Sequence, residues 1–138
     1  MQRILWGVWG AGLLGLAACM DSAMPEPGDG RALYGDYCAG CHGAAGRGDG
    51  PLAAGMTPPP ADLTLIAARN GGELPRAQVM STIDGYSRVH PDGPGMPEFG
   101  ALLQGDLVPY DSGDGTLTPT PRRLVALLEY LETLQVEG

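Results

Sequence analysis

The chain contains no lysine: its eight basic residues are all arginine, set against 16 acids, for a net charge of −8. So little positive charge makes a nucleic acid a poor partner. Cysteine is scarce, with three in the chain. An odd number cannot pair off into a disulfide framework. No internal repeat is visible, which excludes a solenoid. The glycine-rich stretch from Gly43 to Pro51 lacks the Lys followed by Ser or Thr of a phosphate loop, and no strand precedes it. Asp111-Ser112-Gly113-Asp114-Gly115 lacks the further acids and terminal Glu of an EF-hand, and reads as a turn.

What the chain does have is Cys38-Ala39-Gly40-Cys41-His42. Cys-X-X-Cys-His is the pattern of covalent c-type haem attachment. A two-residue gap lets one helical turn present both sulfurs to the two vinyl groups of haem. The next side chain turns its imidazole toward the iron, whose usual proximal ligand is histidine. The rival readings are a redox dithiol and half a zinc site. A thioredoxin-like dithiol belongs in a βαβ pattern, and these flanks are too glycine-rich for one. A closed zinc site wants four ligands, and only His90 and Cys19 are left to complete it.

Met1-Gln2-Arg3 is a short positive start, and no charge follows from Ile4 to Met20. That is short of the roughly 20 apolar residues of a spanning helix and suits a signal peptide. The run ends in Leu16-Ala17-Ala18-Cys19, which resembles the lipobox of bacterial lipoproteins. That resemblance implies cleavage after residue 18, lipidation of Cys19 and a stable anchor of more than one acyl chain. Ordinary cleavage after Ala18 and an uncleaved N-terminal anchor are the alternatives. On the lipoprotein reading all three cysteines are accounted for, one by lipid and two by haem.

Residues 1–18 are therefore read as a signal peptide, 19–29 as a lipidated flexible tether and 30–138 as one small domain. The 23 glycines and 13 prolines fall in blocks between periodic segments, as in long ordered loops wrapped on a cofactor. A first helix is expected over 30–39, with Asp29 as N-cap. A short helix over 63–69 follows, capped by Asp62, and another over 75–84 with Val79, Met80 and Ile83 on its apolar face and Gly85 closing it. Residues 106–121 read as a polar loop, with Thr120-Pro121 opening the last helix. Leu124, Leu127, Leu128, Leu131 and Leu134 carry the strongest helical period in the chain.

Between these helices lies Pro94-Gly95-Met96-Pro97, a stiff non-helical segment suited to presenting a thioether. Met96 is the expected sixth ligand of the iron. Met56, Met80 and His90 are its competitors, and His90 is the closest because it shares the loop. Arg47 and Arg88 are candidates to pair a haem propionate, or are solvated charges.

With the haem motif, the Met-Pro loop and the terminal helix in this order, the chain resembles class I cytochromes c, and more narrowly the small bacterial mono-haem group. The match is carried by Cys38 to Gly43, the glycine-rich stretch to Gly50-Pro51, and Met96-Pro97-Glu98-Phe99-Gly100. It implies an all-α fold, with N- and C-terminal helices crossing and helices and long loops wrapped around one covalent haem c. It implies that Gly30 and Tyr34 on the first helix pack against Tyr130 on the last. It also implies that the Pro51 carbonyl accepts the Nδ1 proton of the haem histidine. The cofactor-binding residues are then Cys38, Cys41, His42, Met96 and Pro51, with His42 and Met96 on the metal.

The function this supports is a one-electron carrier rather than an enzyme, tethered to the membrane of a bacterial cell envelope on the periplasmic side and exchanging electrons with redox protein partners. A haem subunit of a dehydrogenase or reductase complex is one alternative, and a ligand-binding haem sensor the other.

Overall fold

Two helices far apart in sequence form the frame on which everything else is hung. A computed structural model describes residues 27–87 and 95–136. Helix α1 spans Pro27–Tyr37 and helix α6 spans Arg122–Thr133. Proline suits a first helical turn, where its missing N–H would have no partner. The helix therefore starts before Asp29, which lies in its first turn. That places an acid at the positive end of the helix dipole, and takes residues 27–29 out of the expected tether.

The leucine stripe is the core. Leu124, Val125, Leu127, Leu128 and Leu131 are all buried. Helix α1 lies against α6 at Gly30, where an added Cβ would run into the Ala126 carbonyl and come within 2.7 Å of Tyr130 Cβ. One turn on, the rings of Tyr34 and Tyr130 meet at 5.3 Å between centroids, tilted by 54°, an ordinary aromatic geometry. Both contacts agree with the expected packing of Gly30, Tyr34 and Tyr130.

Helix α2, Ala39–His42, follows at once. Then come a 3-10 turn at Leu63–Leu65 and helix α3 at Ile66–Arg69. Asp62 caps this pair as expected, its Oδ1 accepting from the Thr64 N–H at 2.9 Å. Helix α4, Arg76–Asp84, buries Val79 and Ile83 and ends at Gly85, whose φ of +99° is the left-handed cap. Helix α5 is one turn, Gly100–Leu103.

Residues 106–121 depart from the expected loop and add one two-stranded ribbon to a mostly helical fold. Strand β1, Leu107–Asp111, pairs antiparallel with β2, Leu117–Pro121, with Val108 opposite Thr120. Val108 and Tyr110 point inward and are buried, which is the period of a half-buried strand. Three prolines at 109, 119 and 121 hid that pattern. A two-stranded ribbon is all edge, so a residue without an N–H is tolerated there. Thr120-Pro121 consequently ends β2, and α6 begins only at Arg122. The turn read at Asp111 is present: its Oδ1 accepts from the N–H groups of Gly113 and Gly115, at 2.8 and 3.0 Å.

The ribbon is fastened to the frame by side chains. Tyr110 donates to Glu129 of α6 at 3.2 Å, and Arg76 of α4 pairs with Glu132 at 2.5 Å. The Arg76 side chain is 42 % exposed, so the pair contributes at most about 1 kcal/mol. No helix among the described residues is long and apolar enough to cross a membrane.

The frame makes a direct prediction. Gly30→Ala places a methyl group where the α6 backbone already lies, and α1 has to move away. Overpacking of this kind costs about 1–3 kcal/mol. A lowered melting temperature is expected by circular dichroism, and an unchanged one would show that the helices are not in this contact.

Candidate functional site

The Cys38–His42 motif begins where α1 ends. The Cys38 N–H still reaches the Tyr34 carbonyl at 2.9 Å, while its own carbonyl accepts from His42 N–H at 2.9 Å. The motif is therefore a second, offset helical turn, and Cys38 is the joint between the two. Cys38 is 8 % exposed, whereas Cys41 and His42 are half-buried. Burial, and then the neighbouring Cys41, push the Cys38 thiol up to about 11. As a free thiol it would stay protonated at neutral pH.

Both thiols and the imidazole line a cavity of about 680 Å³. Besides Tyr37 and Leu63, its other walls come from three stretches. Met56 and the run Pro58 to Ala61 form one, Gly95 to Phe99 another, and Thr82, Gly85 and Ser87 at the end of α4 the third. Met96 is thus brought to the same cavity as the motif, and it is 40 % exposed. Met56 lines the cavity too. Met80 instead packs against the core, as its place beside Val79 and Ile83 suggested. His90, Arg88 and Cys19 lie outside the described residues. Arg47 is exposed and acts on Asp62, whose carboxyl is held low first by its hydrogen bonds to Thr64 and then by Arg69 and Arg47.

The histidine's partner corrects one expectation. His42 Nδ1–H donates to the Ala61 carbonyl at 2.9 Å, not to Pro51. A carbonyl can only accept, so the proton sits on Nδ1 and the Nε2 lone pair is left for a metal. The reason lies in the glycine loop. Gly48 N–H reaches His42 O, Gly50 N–H reaches Cys41 O and Leu52 N–H reaches Gly40 O. The chain folds straight back along the motif, and Pro51 passes Gly40, exposed, beside the motif's backbone. Gly50 is needed here, since a Cβ would come within 2.7 Å of the Ala39 carbonyl. The histidine's acceptor comes one loop later, after Pro58-Pro59-Pro60.

The Met96 loop is held on its C-terminal side. Phe99 N–H bonds Ile83 O at 3.0 Å, and the Phe99 ring lies 6.2 Å from that of Tyr37. Gly85 admits the Glu98 side chain, and a Cβ on Gly100 would meet the Asp84 carbonyl at 2.8 Å. Tyr34 adds a contact that sequence reasoning missed: its buried hydroxyl donates to the Gly43 carbonyl at 2.7 Å, beside His42.

These residues fit haem c. Two thiols at one helical turn, a histidine with its Nε2 free, a thioether and a run of prolines surround one cavity. The donor set is nitrogen and soft sulfur, as in His/Met haem ligation. A family model for cytochrome c matches residues 28–135. No curated protein and no solved structure matches the chain.

The hydroxyl of Tyr34 sets an alkaline limit. Burial is the main cause that raises it from 10.0 to about 12. A phenol that ionises less readily when folded stabilises the fold below the unfolded pKa, and loses that contribution as pH rises from about 10 to about 12. No lysine titrates in this window, but Tyr110 does, raised likewise to about 12 by burial and then by Glu129, so Tyr34 accounts for part of the loss. Melting temperature should fall across it, and the Tyr34→Phe fold should fall less steeply. Equal slopes in the two proteins would show that Tyr34 is not among the groups responsible.

Proposed function

The chain belongs to the cytochrome c family, and we propose that it is a one-electron carrier held at the periplasmic side of a bacterial membrane by a lipidated Cys19, with its haem iron bound by His42 and Met96. Membership brings one covalent haem c and work as an electron carrier with redox partners. A mostly helical chain of this kind is compatible with the class I fold. The close approach at Gly30 supports α1 and α6 as the crossed terminal helices of that class.

The observation that carries the reading is the His42–Ala61 hydrogen bond at 2.9 Å. It fixes the tautomer, aims the Nε2 lone pair and raises the basicity of the ring. Cys38 and Cys41 sit one helical turn apart at the same cavity and supply the covalent attachment. The haem, when bound, supplies a reversible one-electron couple between ferrous and ferric iron. Met96 supplies a soft thioether from the cavity wall, which favours the ferrous form and a high potential. Phe99 and the close packing at Gly85 and Gly100 hold that loop, so a change of redox state moves little of the protein. With an imidazole and a thioether both supplied by the chain, no position is kept for a substrate, and the protein acts as a carrier rather than a catalyst.

The tether reading is supported by Leu16-Ala17-Ala18-Cys19 standing just ahead of the first described helix at Pro27. The residues between them span at most about 3.3–3.6 Å each. That reach keeps the domain near the membrane surface.

Met96→Ala tests the ligand. The ferric protein should lose the long-wavelength absorption band of methionine-ligated haem, its potential should drop and the ferrous form should bind carbon monoxide. Met80→Ala should keep the band and cost stability, but less than the roughly 2–5 kcal/mol of a fully buried methionine, because Met80 is half-buried. The reverse pattern would assign the ligand to Met80. A band surviving both changes would point to Met56, and its absence from the unaltered protein to His90.

Cys19→Ser tests the anchor. The altered chain should take up no labelled fatty acid and should leave the membrane fraction. An unaltered chain that itself incorporates no fatty acid would overturn the lipid assignment.

A further inference from the structure

The turn that follows the carbonyl accepting from His42 Nδ1–H is bonded to a side chain from the other end of the chain. Gln135 lies just beyond the end of α6. Its Nε2 donates to the Leu63 carbonyl at 2.9 Å and to the Leu131 carbonyl at 2.7 Å. Its Oε1 accepts from the Ala67 N–H at 2.9 Å. Next to it, Val136 N–H donates to the Thr64 carbonyl at 3.0 Å. Both amide protons and the oxygen are in use, and the partners fix which way the amide faces. A flipped amide would set an oxygen against two carbonyls. A carboxylate could not replace it, having no proton to give.

The turn so gripped starts at Leu63, two residues after Ala61, with Asp62 as its cap. Other bonds hold it as well: Leu63 N–H reaches Gly46 O at 2.7 Å, Asp62 accepts from Thr64 at 2.9 Å, and Arg69 donates to Asp62 O at 2.6 Å. Those bonds tie the turn to itself and to the glycine loop. The bonds of Gln135 and Val136 tie it to the end of α6, whose buried face is the core.

We propose that Gln135 is a positioning residue of the redox centre. By clamping residues 63–67 to α6 it fixes the Ala61 carbonyl against His42 Nδ1–H, and so couples the docking of the C-terminal helix to the electron-donating strength of the histidine. This rests on the reading of His42 as a haem ligand. Without Gln135 the Leu63 carbonyl and the Ala67 N–H turn to water, and the turn ahead of them slackens. A longer bond from Nδ1–H leaves a less basic imidazole. Ferric iron is then less well stabilised, and the potential rises.

The test compares the unaltered holoprotein with Gln135→Met, which keeps the volume and removes all three bonds. Val108→Ala, in the ribbon away from this turn, serves as a control for lost stability alone. Two readouts are taken: the midpoint potential, and the exchange rate of the His42 Nδ1 proton in the ferrous state by NMR. Gln135→Met is expected to raise the potential and speed exchange by roughly tenfold relative to the control, the order of one hydrogen bond's net contribution. If it changes melting temperature alone, like Val108→Ala, the proposal is overturned. Should Gln135→Met fail to accumulate, Gln135→Asn keeps the amide but is one methylene short. Smaller shifts in the same two directions would support the proposal, and unaltered values would overturn it. An alkaline pyridine spectrum of each sample reports covalent haem. Its absence from the unaltered protein would overturn the haem reading and the proposal together. Its presence, with potential and exchange unmoved, would overturn the proposal alone.

Discussion

An imidazole can offer a metal only one of its two nitrogens, and the other must go somewhere. In this protein Nδ1 goes to the Ala61 carbonyl, and much of the surrounding structure follows from keeping that carbonyl where it is. The stiff proline run delivers the chain to residue 61, and Asp62 caps the turn that follows. Gly46, buried between Tyr34, Thr64 and Leu134, receives the Leu63 N–H and joins the turn to the motif's own loop. The core of α1 and α6 stands behind both. A buried polar group in this region is costly unless it is bonded, and among the described residues no buried side-chain nitrogen or oxygen lacks a partner.

The same constraint explains why the chain spends so many glycines between 43 and 50. Gly43, Gly46 and Gly48 all have φ near +78°, where a side chain would be strained. A loop with that backbone can return along the Cys38–His42 turn at hydrogen-bond distance. It gives up backbone entropy in the unfolded state to do so. What it gains is a rigid motif whose backbone is bonded on one side by the loop and on the other by the end of α1. A site meant to change redox state with little movement needs that rigidity more than it needs a large core.

The parts of the fold with a strong local cause were legible in the sequence. The leucine stripe of α6, the Asp62 cap, the Gly85 stop and the turn at Asp111 all depend on residues close in sequence. So was the gathering of Cys38, Cys41, His42 and Met96, since attachment spacing and a proline-flanked methionine are local patterns. The ribbon was not, because Pro109, Pro119 and Pro121 mimic a loop and the inward pair Val108 and Tyr110 is too short a signal to outweigh them. Nor was the histidine's acceptor. A carbonyl has no residue type, so nothing in a sequence marks Ala61 over Pro51. That choice is made by how tightly the glycine loop turns, which is a property of backbone angles. Gln135 was illegible for a related reason: its three partners are all backbone groups.

The ribbon is fastened to helix α6 without lining the cavity. Tyr110 and Glu129 fasten it to α6, and Arg76 and Glu132 fasten α4 to the same helix. Helix α4 in turn carries Ile83, whose carbonyl holds Phe99, and Gly85, which admits Glu98. The Met96 loop therefore rests on α4, α4 rests on α6, and the ribbon adds Val108 and Tyr110 to the core that α6 builds. On the other branch, α6 reaches His42 through its C-terminal residues and the turn at 63–67. The two side chains assigned to the metal come from distant parts of the chain, and both trace back to one helix. Its leucine stripe, the plainest feature of the sequence, is the common support of the two side chains we propose as ligands.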